Sequence, residues 1–308
     1  MTDDRRTTRP GLAGAPGIVT ASVLAAVAIT GAGAGATAAS SPAPAGTPDI
    51  ATPPGWVLTW SDEFDGPAGS APDPAIWGYD LGDGSDRGLE GWGNQERQWY
   101  TDDPANVALD GHGALVITVR PAGEDAPTCW YGPCGYTSAR LTTRDRFSVT
   151  HGRVEARIRV PSGFGIWPAF WMLGDAVAAV GWPEGGEIDV MEHVGRLPTV
   201  VHGTVHGPGY SGSSGPTGSI DLGVPVADAA HTFAVEWLPG EITWSMDGTV
   251  YHRVTAADVA PQPWVFDGPF HLLLNVAVGG VFGGPVDPAL ELPQTMVVEH
   301  VRVYEPAP

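Results

Sequence analysis

Glu187, Asp189 and Glu192 fall within six residues of one another in Gly186-Glu-Ile-Asp-Val-Met-Glu-His193. Ile188, Val190 and Met191 make the stretch read as a strand rather than an exposed acidic loop. Successive strand side chains point to opposite faces, so Glu187 and Asp189 share one face and Ile188 and Val190 the other. Plain alternation would put Glu192 on the apolar face, where a charge is costly. One extra residue, a β-bulge at Val190-Met191, returns Glu192 to the face of the other two carboxylates, and bulges are common beside active sites. Three carboxylates on one face raise the pKa of at least one of them. A protonated acid beside an ionised one is what glycosidic bond cleavage requires. The competing reading is a solvated acidic edge strand that resists aggregation by its charge.

The elements that must carry these groups are strands. Gly152 to Val160 alternates, with Val154, Ala156, Ile158 and Val160 facing in, and Leu115 to Val119 is a β-branched run. Phe233–Trp237, Glu241–Met246 and Thr249–Tyr251 are joined by Pro239-Gly240 and Asp247-Gly248, a meander of hairpins. Phe270 to Val278 and Thr295 to Tyr304 supply two more strands. No stretch after the N-terminal region shows a helical apolar stripe, and many short strands with Gly and Pro turns predict an all-β sandwich or barrel. Trp92, Trp99, Trp167, Trp171, Trp182 and Trp264 lie near Gly-rich or Pro-rich turns, where an indole plane can pack on the apolar face of a sugar ring. Core packing is the better reading for Trp60, Trp237 and Trp244. Trp167 and Trp171 share strand parity, and Trp182 is close in sequence to Glu187. His206, on the next strand pattern, is expected beside Asp189 or Glu192, with a purely structural histidine as the alternative. His202 shares its parity, but a third ligand for a two-histidine metal site is not evident.

The chain has 308 residues. Residues 1–38 read as a secretory signal: Arg5, Arg6 and Arg9, an Ala-rich apolar run, then Ala36-Thr37-Ala38 as a cleavage site. A membrane anchor is the competing reading. Residues 39–55, rich in Pro, Ala and Ser, read as a linker, which leaves 56–305 for a single catalytic domain. The secreted, extracellular location that follows makes a local disulfide between Cys129 and Cys134 the expectation. Free thiols, or half of a metal site that no other cysteine completes, are the alternatives. With 35 acidic residues against 15 basic ones and a net charge of −20, nucleic acid and anionic lipid are poor partners.

These motifs resemble glycoside hydrolase family 16, of the bacterial laminarinase (endo-β-1,3-glucanase) type. The likeness runs from about Trp56 to Tyr304. It is carried by Trp-Ser-Asp-Glu-Phe at 60–64, Gly-Trp-Gly-Asn-Gln-Glu at 91–96, Tyr-Thr-Ser-Ala-Arg at 136–140 and Gly-Ile-Trp-Pro-Ala-Phe-Trp-Met-Leu-Gly at 165–174. Gly-Glu-Ile-Asp-Val-Met-Glu at 186–192, Phe-His-Leu-Leu-Leu-Asn-Val-Ala-Val-Gly-Gly at 270–280 and Val-Arg-Val-Tyr at 301–304 complete it. The resemblance implies a β-jelly-roll sandwich of two antiparallel sheets with an open cleft. It also implies Glu187 as nucleophile, Glu192 as acid/base and Asp189 as the carboxylate assisting Glu187. Asn94, Trp167, Trp171, Trp182, His206 and Trp264 are the expected sugar-binding residues. The partner is a polysaccharide, the chain is expected to be monomeric, and the chemistry needs no cofactor. Lichenases of the family have a motif one residue shorter, whereas carrageenases and agarases share the longer form, so mixed-linkage glucan, agar or carrageenan are alternative substrates. A non-catalytic glucan-binding protein is a further alternative, but such proteins would lose the two glutamates.

This chain departs from the laminarinase pattern at Gln95, at Val281-Phe282 and at Glu299, where Asp is usual. Laminarinases often bind a structural calcium on the convex side, and here the matching ligands are Glu63, a carbonyl near Gly111, and Glu299. Strand parity puts Glu299 among Val297, Val301 and Val303, so it needs a compensating partner, either a cation or an arginine.

Overall fold

The computed structural model describes residues 52–308. The expected signal at 1–38 and most of the linker at 39–55 lie outside the described residues, and β-structure begins at Trp56, where the catalytic domain was expected to start. The longer strands are β1 (Trp56–Asp62), β2 (Leu115–Pro121), β3 (Gly152–Arg159), β4 (Ile166–Gly174), β5 (Glu187–His193) and β6 (Val200–His206). They continue with β7 (Thr217–Asp221), β8 (His231–Leu238), β9 (Glu241–Met246), β10 (Thr249–Thr255), β11 (Phe270–Val278) and β12 (Gln294–Pro306). The α-helices among the described residues are single turns of four residues. None is long and apolar enough to cross a membrane.

The strands form two large sheets. One has the order β10-β9-β8-β3-β12-β2, extended by Tyr136–Ser138 and Gln98–Tyr100, with β1 also paired to β12. The other has the order β7-β6-β5-β4-β11, extended by Arg140–Thr142 and Gly78–Tyr79. Period-2 patterning accounts for the layering. Leu115, Ile117 and Val119 of β2 and Val154, Ala156 and Ile158 of β3 are all fully buried, as their alternation predicts. Ile166, Phe170 and Met172 of β4 and Leu272, Leu274 and Val276 of β11 face them from the second sheet. Trp237 of β8 meets Phe270 of β11 edge to face, ring centroids 5.2 Å apart, so the two layers share one core. Each such large apolar side chain contributes about 1.5–3 kcal/mol by leaving water.

The β8-β9-β10 meander forms as its turn residues predict. Asp247 (φ 49°) and Gly248 (φ 78°) both take the left-handed backbone that a tight hairpin needs. Glu299 corrects the parity argument. On β12, Arg157 faces His300 while Ile158 faces Val298, so Glu299 is an extra residue in the ladder. The bulge moves the inward positions to Met296, Val298, Val301 and Val303. The Glu299 side chain is 44% exposed and pairs with Arg157 Nε at 2.7 Å, so it is not a carboxylate stranded among valines.

Candidate active site

β5 lies inside its sheet between β4 and β6, and its ladder contains the expected bulge. Trp171 faces Asp189 and Phe170 faces Met191, leaving Val190 unmatched on the β4 side. On the other side Asp189 faces Thr204 and Glu192 faces His202. Ile188, Val190 and Met191 are buried in the core. Glu187, Asp189 and Glu192 stand together on the opposite, cleft-facing side of the sheet. Trp244, from β9 of the other sheet, donates its indole N–H to the Asp189 carbonyl at 2.8 Å, pinning the start of the bulge from beneath.

Each carboxylate has its own neighbours. Trp182 Nε1 donates to Glu187 Oε2 at 3.1 Å, and Trp167 Nε1 donates to Glu192 Oε1 at 3.0 Å. His206 Nε2 lies 3.2 Å from Asp189 Oδ2 and 3.7 Å from Glu187 Oε1. Burial pushes Glu187 up to about 8, with the Asp189 charge adding to the rise. Burial alone does the same to Asp189, up to about 8. Glu192 also rises to about 8, first through burial and then through the Asp189 charge. Burial thus favours the protonated form of each of the three, and the charges around them bias where a negative charge settles. His206 and Arg140 both favour ionised Glu187, whereas of these two only His206 acts on Glu192. Glu187 is thus the better placed to be the anion, and Glu192 to keep its proton.

Glu187, Asp189 and His206 each place a donor atom within 4.8 Å of the other two. They could hold a cation, but only with the oxygens that the two-carboxylate chemistry uses. The two carboxylates expected as calcium ligands are already engaged. Arg302 grips both oxygens of Glu63 at 2.8 Å, Glu299 is paired with Arg157, and Gly111 abuts Ala68. Both carboxylates already have a guanidinium partner, so the residues as placed do not fit a calcium site.

The aromatic residues expected in the cleft divide into groups. Trp182 is 48% exposed beside Glu187, and its ring tilts toward His206. Trp167 is nearly buried, edge-on to Phe282, beside Glu192. Trp171 donates to Asn275 Oδ1 at 2.7 Å and carries the Arg140 guanidinium 4.7 Å above its ring. The same guanidinium lies over Trp92, 4.4 Å from the ring centroid. Trp264 is partly buried and packs against the main core, with its ring edge-on to Phe266 at 4.7 Å. Asn94 is half-buried and donates to Glu96 Oε1 at 3.2 Å.

Sequence reasoning did not assign roles to Arg140, Asn275, Tyr100 or Glu96, which form the layer under the cleft. Asn275 Nδ2 donates to the Tyr100 hydroxyl at 3.1 Å, and that hydroxyl donates to Glu96 Oε2 at 3.2 Å. Burial raises the Glu96 carboxyl. The available signals were Arg140 closing the Tyr-Thr-Ser-Ala-Arg motif and Asn275 sharing parity with the cleft face of β11. The disulfide expectation holds: Cys129 and Cys134 are bonded, with Cα atoms 5.1 Å apart.

A jelly-roll sandwich with paired carboxylates on one sheet face, each met by an indole N–H, is the framework of a glycoside hydrolase. The chain belongs to glycosyl hydrolases family 16, whose model matches residues 92–294. It is 45% identical over 261 residues to a β-glucanase of Rhodothermus marinus, covering 82% of this chain and 86% of that one. Among solved structures it is similar to the laminarinase catalytic domain of Thermotoga maritima, with a TM-score of 0.76, 42% identity, and coverage of 82% of this chain and 99% of that one. It is equally similar to the endo-β-1,3-glucanase of Pyrococcus furiosus, with a TM-score of 0.76, 44% identity, and coverage of 82% and 95%.

Proposed function

We propose that this glycoside hydrolase is a secreted, retaining endo-β-1,3-glucanase acting on laminarin-like polysaccharide. The observation that carries the reading is the bulged β5, which brings Glu187, Asp189 and Glu192 to one face and gives the two glutamates different electrostatic surroundings. Ionised Glu187 attacks the anomeric carbon while Glu192 passes its proton to the leaving glycosidic oxygen. Water, deprotonated by Glu192, then displaces Glu187 from the glycosyl-enzyme, and two inversions restore the original configuration. The Asp189 charge raises both glutamates, so the division rests on Arg140, whose charge favours ionised Glu187 and is not felt at Glu192. Trp182 and Trp167 hold the two carboxylates in fixed rotamers through their N–H groups. The likeness to two β-1,3-glucan hydrolases supports the substrate class, and the N-terminal pattern of residues 1–38 supports export.

The test is incubation of purified protein with laminarin, lichenan, agarose and carrageenan, with the first product followed by proton NMR. The β-anomer appearing first from laminarin, with a ladder of oligosaccharides, is the expected result. The α-anomer first would refute the double displacement. Preference for agarose or carrageenan would refute the substrate class.

A further inference from the structure

The loop closed by Cys129–Cys134 has no part in the chemistry above, yet its contacts run to the segment at the edge of the cleft. The Trp130 main-chain N–H donates to Asp83 Oδ2 at 2.7 Å, and its indole N–H donates to the Glu96 carbonyl at 2.8 Å. The Tyr131 hydroxyl donates to the Arg97 carbonyl and accepts from Gly135 N–H at 2.9 Å, while the Arg97 guanidinium lies 4.5 Å over the Tyr131 ring. Approach is close enough that a Cβ on Gly91 would fall 2.8 Å from Trp130 Nε1.

The segment they touch cannot hold its own shape cheaply. Gly91, Trp92, Gly93 and Gln95 all have positive φ, at 56°, 55°, 76° and 60°. Glycine tolerates this region, but Trp92 and Gln95 do not favour it, so the conformation persists only where surrounding contacts enforce it. Asp83 serves both sides: its carbonyl accepts from Trp92 N–H at 3.1 Å and its carboxylate from Trp130 N–H. What the segment carries faces the site. Trp92 supports Arg140, which lies over Trp171. The Asn94 carbonyl accepts from Val281 N–H at 2.7 Å, in the turn that packs on Trp167.

We infer that Trp130 is a positioning residue for the segment 91–96, held in place by the Cys129–Cys134 bond, and that it sets how well that edge of the cleft receives the glucan chain. This rests on the cleft being a glucan site. Trp130 is 41% exposed, so its importance does not come from core burial.

The experiment compares wild type with Trp130→Phe, which keeps a ring and removes the N–H. Hydrogen exchange, read on peptides covering 91–97 and 270–278, needs no substrate. Exchange is expected to quicken in 91–97 and stay unchanged in 270–278. On laminarin oligosaccharides KM is expected to rise about fivefold, the value of one lost hydrogen bond, with kcat within twofold. If the variant does not fold, reduction of the single disulfide in the native protein with dithiothreitol replaces it, with the same two readouts. Unchanged exchange in 91–97 would overturn the inference, and so would faster exchange there with KM unmoved. Failure of the substrate reading shows differently: wild type would cleave none of the β-glucans, whatever the exchange in Trp130→Phe.

Discussion

Trp167→Phe removes the hydrogen bond to the acid/base carboxylate. A phenyl ring can still pack on Val194, Ala277 and Phe282, while the indole N–H at 3.0 Å from Glu192 is lost together with part of the ring's bulk. That donor favours the ionised form, so its loss raises the Glu192 pKa above the value of about 8 set mainly by burial. Hydrogen bonds to charged groups contribute about 1.5–3 kcal/mol. The lower end, at 1.36 kcal/mol per pKa unit, corresponds to a rise of about one unit. Glu192 must be protonated to act as the acid, so the alkaline limb of kcat/KM should move up by about one pH unit. The acidic limb, which reports ionisation of Glu187, should stay in place. The assay is kcat/KM on a soluble β-1,3-glucan oligosaccharide from acid to alkaline pH. An alkaline limb that stays still or moves down would refute the assignment of Glu192, or the role given to Trp167.

Glu192→Gln should lower turnover by about 10²–10⁴-fold, the range for a lost general acid, and Glu187→Gln at least as much. Azide should return activity to Glu187→Ala as an α-glycosyl azide and to Glu192→Ala as the β-product, separable by NMR. Because folding raises the Glu192 pKa, its stabilising contribution is complete at low pH and is lost as pH rises through about 8. The melting temperature of Glu192→Gln should therefore exceed that of wild type at pH 9, with the gap closing at pH 4, and a constant gap would count against burial of the charge. Trp182→Ala should weaken glucan binding with little change in melting temperature, since the side chain is 48% exposed. Trp171→Ala should cost both binding and stability, since it frees Asn275 and uncovers Arg140. Calorimetry with calcium and with chelator should give the same melting temperature, because Arg302 and Arg157 already neutralise Glu63 and Glu299. A clear rise with calcium would mean that these pairs open.

Strand periodicity carried most of the fold, because one face of each strand is buried and the alternation is written in side-chain polarity. The bulge in β5 was legible for the same reason: Glu192 on an apolar face was too costly to accept. The bulge at Glu299 left no such mark, since a glutamate flanked by Val298 and His300 fits either phase until the pairing with β3 is known. The packing of Trp264 on Phe266 was not legible, because a position beside a proline says nothing about which neighbours its ring meets. Arg140, Tyr100, Asn275 and Glu96 come from separate strands and a loop, and only the sheet order brings them under one patch of cleft. Trp244 was read as core and is core, but its bond to the Asp189 carbonyl depends on the stacking of two sheets.

The bulge at Val190 also decides where the gene can gain or lose a codon. Elsewhere along β5 a single-residue deletion would turn every later side chain over, placing Glu192 in the core and an apolar residue in the cleft. Removing Val190 or Met191 instead leaves a regular ladder in which the three acids still alternate onto one face, with the span between the glutamates shortened by one residue. The strand is therefore built so that its most consequential length change is also its most survivable. A deletion library across 186–193 should return folded protein mainly from those two positions, with altered substrate choice rather than an empty site.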